Sequence, residues 1–209
     1  MSRPIARLGA AALPAVLLLG GCTQTSAGDT PRDVPTSAVA PATLAEMKAD
    51  AGIQDCPASD PTVAPQPNGL PDVAVGCLGG GRDVRLAGLR GTPMLINVWG
   101  QWCLPCRQEA PYLTEIANSP HAGLSLIGID YDDPRPDYAI EWAQLSKWRY
   151  PQLADPDRTL AGPLKVAGGP PQTLFVDAEG KVVFRHAGAF TSADQIRDLV
   201  RQHLGVKLT

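Results

Sequence analysis

The chain has 209 residues, 44% of them hydrophobic and 19% charged, with a formal net charge of −3 at pH 7. That length and apolar content suffice for one domain with its own core. No basic run and no internal repeat occurs, which argues against a nucleic-acid partner and against a repeat architecture.

Residues 1–21 carry Arg3 and Arg7 ahead of an apolar run from Leu8 to Leu19. A basic flank, a short apolar stretch and small residues predict a secretory signal, because the run is short for a membrane span. Gly20-Gly21-Cys22 is similar to a bacterial lipobox, in which Cys22 becomes the lipidated first residue of the mature chain. An ordinary cleaved signal or an uncleaved anchor is the alternative. Stable anchoring takes more than one acyl chain, which a lipoprotein cysteine supplies. Residues 22–45 are rich in Thr, Ser, Ala and Pro and lack a hydrophobic period, so a flexible tether is expected there, with the folded domain over 46–209. The expected location is the extracytoplasmic face of a bacterial cell membrane.

Five cysteines are present, and lipid on Cys22 leaves four. In an oxidising compartment Cys56 and Cys77 are most economically read as a structural disulfide closing a Pro-rich loop of about 20 residues. The alternative, an electron relay to the other two cysteines, lacks support because neither has a sequence neighbour that would activate it. Val73–Leu78 and Val84–Leu86 flank Gly79-Gly80-Gly81 and predict a hairpin of short strands.

Met94–Trp99 is an apolar, β-rich run, and Arg107–Leu113 reads as helix. Between them stands Trp102-Cys103-Leu104-Pro105-Cys106, so two thiols three residues apart fall where a strand hands over to a helix. At a helix N-terminus, unpaired backbone N–H groups and a partial positive charge favour a thiolate, and a thiolate is the reactive form of cysteine. Cys106 lies one turn on and can close a disulfide with Cys103. A zinc half-site or a structural bridge would use the same spacing, but zinc needs two further ligands, and Cys56 and Cys77 do not form a second pair at that spacing.

The helix after Cys103 is expected to reach about Ala117, with Pro111 kinking it. Gly123–Ile129 reads as a buried strand and Asp137–Trp148 as a helix, with Trp142 and Trp148 in the core or on a partner-facing patch. Asp130, Asp132 and Asp133 form either a solvated loop or a cation site. Asp155 or Asp157 is expected to cap a short helix over 159–164. Thr173–Val176 and Val182–Arg185 surround Asp177–Gly180, a hairpin signal. Ser192-Ala193-Asp194-Gln195 matches a capping box before a terminal amphipathic helix. His121, His186 and His203 are scattered and expected at the surface. The order β-β-β-α-β-α-α-β-β-α predicts an α/β domain whose central mixed sheet is flanked by helices and begins with an N-terminal β-hairpin.

Three stretches together resemble the thioredoxin superfamily, and within it the membrane-tethered TlpA/ResA-like thiol–disulfide oxidoreductases. They are Leu89–Pro93, Asn97–Pro111 around the dithiol, and Gly169–Asp177 followed by Gly180. The resemblance covers roughly residues 70–205 and implies a thioredoxin-like fold, with a central insert from Asp130 to about Leu153. It implies that Pro171 is a cis-proline facing the disulfide. Pro170-Pro171 as a rigid turn with both bonds trans is the alternative. Pro170 replaces the family's more usual Val, Thr or Ile, and proline removes one backbone donor to a bound substrate strand. Asn97 stands where thioredoxin has a buried acid, and Asn97 cannot titrate. Glu109 matches a glutamate common in the TlpA-like motif and would modulate Cys106; pairing with Arg107 or solvent is the alternative. Trp102, Leu104, Pro105 and the Pro171 loop would form an apolar surround for extended peptide.

The activity implied is reduction of specific protein disulfides, for example in cytochrome c maturation. Cys103 would attack and Cys106 resolve, with no metal or organic cofactor. The partners expected are cysteine-containing substrate proteins and a membrane thiol–disulfide carrier, and the protein itself is expected as a monomer. Oxidation or isomerisation of secreted disulfides uses the same constellation. A metal-binding assembly factor on this fold would instead space its thiols C-x-x-x-C with a distant histidine. A thiol peroxidase would place a lone cysteine after a Thr-x-x motif, which is absent here.

Overall fold

The computed structural model describes residues 40–119, 123–166 and 168–208. The signal segment, Cys22, most of the tether and His121 lie outside the described residues. The chain forms α1 (Pro41–Asp50), β1 (Ala74–Cys77), β2 (Val84–Arg85), a single 3-10 turn at Leu86–Gly88, β3 (Met94–Trp99) and α2 (Leu104–Asn118). There follow β4 (Ser125–Tyr131), α3 (Pro136–Leu145), β5 (Gln152–Asp155), β6 (Gln172–Val176), β7 (Val182–Ala187) and α4 (Ala193–Leu204). Among the described residues no helix is long and apolar enough to cross a membrane.

The seven strands make one mixed sheet in the order β2-β1-β5-β4-β3-β6-β7. β3 pairs β4 in parallel and β6 antiparallel, while β4 pairs β5 in parallel. A helix intervenes at both parallel joins, as crossover connections require. All six residues of β3 are buried, because both faces of the central strand are covered. Alternation then divides them. Leu95 and Trp99 enter the core shared with α2, α3 and α4, and Met94, Ile96 and Val98 enter the opposite core with β1, Leu160 and Leu164.

Several expectations change. Residues 41–45, assigned to the tether, form the first turns of α1, which starts on a proline and docks Leu44 and Met47 against the helical core. The helix expected over 159–164 is a run of turns. Asp155 does cap it, accepting from the Thr159 and Leu160 N–H groups, but left-handed Arg158 and Lys165 and the missing N–H of Pro163 prevent regular helix. β5 adds a strand that the sequence pattern does not predict. α3 stops at Leu145 because Lys147 is left-handed, so Trp148 lies beyond the helix and drops into the core edge-on to Trp99, 5.1 Å between ring centroids. At the β6–β7 hairpin, Gly180 has φ +77, and a Cβ there would strike the Arg90 guanidinium. The expected cap of α4 forms, with Ser192 Oγ accepting from Gln195 N at 3.1 Å, while Gln195 Oε1 accepts in return from the Thr191 N–H rather than from that of Ser192.

Candidate active site

The parallel register brings the C-terminal ends of β3 and β4 to one edge of the sheet, and β3 hands over there to α2 through residues 100–102. Cys103 is the N-cap of α2, and its Sγ accepts from the Cys106 N–H at 3.2 Å. The sulfur therefore occupies the place that a capping oxygen takes elsewhere, facing the first-turn donors. Pro105 falls within that first turn, where its missing N–H costs nothing. Cys103 and Cys106 form a disulfide with Cα atoms 5.3 Å apart. Cys106 is fully buried and Cys103 is 3% exposed, so an incoming sulfur has access to Cys103 alone. Around it stand Trp102 at 47% and Leu104 at 66% exposed, an apolar collar. Trp102 Nε1 donates to the Asp132 carbonyl at 3.0 Å, which latches the ring to the β4–α3 loop.

Val98 pairs Gln172, which sets Pro171 beyond that pair, level with Trp99 at the same sheet edge. The Pro170–Pro171 peptide is cis. The Pro171 carbonyl accepts from Gly188 N at 3.0 Å, so the tandem prolines are held from the β7 side.

Glu109 is fully buried, three residues past Cys106 on α2. Its Oε1 accepts from Asn97 Nδ2 at 3.0 Å and its Oε2 from the Phe190 N–H at 3.1 Å. Burial pushes its carboxyl up to about 7, although those two donors pull the other way. The alternative pairing with Arg107 does not occur. Arg107 Nε donates to the Gln101 carbonyl at 2.7 Å, and its guanidinium lies over the Trp142 ring. Asn97 also donates to Thr173 Oγ1, so it joins β3, α2 and β6.

Two further acids belong to this edge. Asp130 and Asp133 are buried rather than solvated. Burial and the neighbouring Asp133 charge drive Asp130 well above the ordinary carboxylate range, and burial also raises Asp133. Asp133 accepts from Gln101 N at 3.3 Å and so holds the loop that carries Cys103. The sequence shows the Asp-x-x-Asp spacing but not which acids turn inward. Nor do His186 and His203 stand free at the surface, since His186 stacks on Phe190 and His203 on Phe184.

Elsewhere, Cys56 and Cys77 form the second disulfide, with Cα atoms 5.9 Å apart. The absence of an activating sequence neighbour is offset in space, because Lys48 directs its Nζ at Cys77 Sγ from 3.3 Å.

A mixed sheet flanked by helices, with a Cys-x-x-Cys disulfide at a helix N-terminus and a cis-proline at the same sheet edge, defines a thioredoxin-like protein. The chain belongs to the AhpC/TSA family, whose model matches residues 68–185. Among curated proteins it is similar to the thiol:disulfide interchange protein DsbE of Pseudomonas aeruginosa, 41% identical over 108 residues, or 50% of this chain and 55% of that one. The DsbE of Yersinia pestis is 37% identical over 99 residues, 47% and 50% of the two chains. The chain thus spans about half the length of the curated relatives it matches. Among solved structures it is similar to MTB dsbF in its mixed oxidised and reduced forms, at 26% identity and a TM-score of 0.55, covering 65% of this chain and 97% of that one. A putative protein disulfide isomerase from Bacteroides thetaiotaomicron is 28% identical, with a TM-score of 0.51 over 68% and 88% of the chains.

Proposed function

We propose that the protein is an extracytoplasmic thiol–disulfide oxidoreductase that reduces selected protein disulfides through Cys103 and Cys106. The observation that carries this reading is the Cys103 sulfur capping α2, where the helix end stabilises the thiolate that attack requires. In the reduced protein the Cys103 thiolate attacks a target disulfide, forming a mixed disulfide and expelling one target thiolate. Cys106 then loses its proton, with Glu109 one helical turn away as the buried base. Its thiolate attacks Cys103 Sγ, restoring the internal disulfide and releasing the second target thiol. Trp102, Leu104 and the Pro170–Pro171 turn receive the peptide around the target cysteine. Because Pro170 has no N–H, the substrate strand is held more by apolar contact than by backbone pairing.

The names of the curated relatives support disulfide interchange, and the family resemblance supports reduction of partners such as apocytochrome c before haem attachment. Lipid on Cys22 would tether the domain, and a membrane thiol carrier would re-reduce it. The decisive experiment pairs two variants. Cys103→Ser abolishes reduction of insulin disulfides, and Cys106→Ser accumulates mixed disulfides with periplasmic targets. Activity remaining in Cys103→Ser overturns the mechanism, and a reduction potential in the range of strong oxidants overturns the direction.

A further inference from the structure

The Cys56–Cys77 bridge has surroundings unlike those of an inert staple. Lys48, in the last turn of α1, is 5% exposed, and lysine is almost never so buried without partners. Its Nζ donates to the Gly80 carbonyl and to Asp55 Oδ1, each at 3.0 Å, and reaches Cys77 Sγ at 3.3 Å. The Asp55 side chain is 90% exposed, so water screens its share of the pairing.

The glycine triplet between β1 and β2 builds this arrangement. Gly79, Gly80 and Gly81 all have positive φ. A Cβ on Gly79 would come within 2.8 Å of Lys48 Cβ, so only glycine lets this backbone close over the lysine. A Cβ on Gly81 would stand 3.7 Å from Cys77 Sγ and 3.6 Å from Lys48 Nζ. A surface hollow of about 450 Å³ is lined by Lys48, Asp55 and the three glycines, and Cys77, 8% exposed, lies directly behind Gly81.

We propose that Cys56–Cys77 is a second thiol–disulfide exchange site, opened by a low-molecular-weight thiol entering this hollow, with Lys48 holding Cys77 as its thiolate. The ammonium draws the incoming thiolate onto Cys77 Sγ. A new S–S bond forms there, the Cys56–Cys77 bond breaks, and Cys56 leaves as a thiolate that takes a proton from water. A second small thiol attacks the mixed disulfide at its outer sulfur, leaving as the oxidised dimer and releasing the Cys77 thiolate against Lys48. Two thiols are oxidised and one protein disulfide is reduced by two electrons. A disulfide whose reduced form is stabilised in this way is the more easily opened.

The test follows the two disulfides separately. The full chain is equilibrated at pH 7 in glutathione buffers of graded composition and alkylated. Mass spectrometry then reads the Cys56 and Cys77 peptides apart from the Cys103–Cys106 peptide, so the outcome does not depend on the activity proposed for Cys103. The expected result is opening of Cys56–Cys77 in protein that keeps its native circular dichroism. Lys48→Met should shift the half-point about tenfold toward more reducing buffer, the equivalent of about one unit of thiol acidity. Lys48→Arg should restore most of it. Asp55→Asn, which frees the ammonium and leaves α1 untouched, should shift the half-point the opposite way. A bridge that opens only as the circular dichroism is lost, or a half-point indifferent to both Lys48→Met and Asp55→Asn, overturns the proposal.

Discussion

The two disulfides of this domain meet the same requirement, a positive group beside a sulfur, by unrelated means. At Cys103 the charge is the helix end itself, delivered by the Cys106 N–H at 3.2 Å and fixed by chain geometry. At Cys77 it is an ammonium from a helix 29 residues earlier, held by a glycine turn and a carbonyl. Their other surroundings differ as well. A buried carboxyl stands one turn from Cys106, ready to take a proton, and an apolar collar surrounds Cys103. Near Cys77 there is instead a surface hollow lined by Lys48, Asp55 and the three glycines. The lesson is that local sequence encodes the first kind of activation and only the tertiary fold encodes the second.

The largest effect separates the two sites outright. Cys103→Ser should remove all turnover with a protein disulfide, whereas Cys56→Ser with Cys77→Ser should leave insulin reduction within about twofold. Equal losses in both variants would break the distinction drawn here. The same pair of deletions should differ in stability. On the chain-entropy account, opening the bridge between residues 21 apart costs about 3 kcal/mol, and opening the one between residues three apart roughly half that. Denaturant midpoints of the two double-serine variants would test this.

How much of this was legible follows the same division. The Cys-x-x-Cys motif, the buried β3 strand, the hairpins and the Ser192 cap of α4 are written in consecutive residues, and each forms within a residue or two of the expected place. α1 was hidden because its weakly amphipathic residues follow a tether-like composition, and only docking against α3 and the β1 end fixes it. β5 was hidden because Gln152–Asp155 has no strand pattern of its own and is defined by its two neighbours, β1 and β4. Asp130 and Asp133 look like loop acids until β4 and the loop beyond it carry them inward. Glu109 was visible as a motif residue, but its partner, the Phe190 amide, comes from 81 residues away.

Glu109 offers the next test, since no acid of its kind serves Cys77. Its carboxyl is raised to about 7 from an ordinary 4.5, so the folded state binds a proton more tightly than the unfolded chain does. Stability from this group is fully present below about pH 4.5 and is lost as pH rises through about 7, amounting to about 3 kcal/mol at most. Glu109→Gln should flatten that decline in denaturant titrations between pH 5 and 8. Single-turnover release of the mixed disulfide should rise through pH 7 in the parent protein and lose that rise in the variant. A parent whose stability is constant across this window would remove Glu109 as the proton acceptor.

The smallest expected effect concerns the collar. The hydrogen bond from Trp102 Nε1 to the Asp132 carbonyl lies at an exposed position, where its net worth is about 1 kcal/mol or less. Trp102→Phe keeps the apolar face and removes only that bond, so Tm should fall by no more than roughly 2–4 °C, with insulin reduction little changed. Trp102→Ala removes the face as well, and should raise KM for a peptide disulfide while leaving reduction by dithiothreitol, which needs no collar, unaltered. Opening of Cys56–Cys77 should ignore both changes. If Trp102→Phe and Trp102→Ala weaken peptide turnover equally, the latch to the β4–α3 loop matters more than the apolar surface, and the collar acts by holding Cys103 in place rather than by receiving substrate.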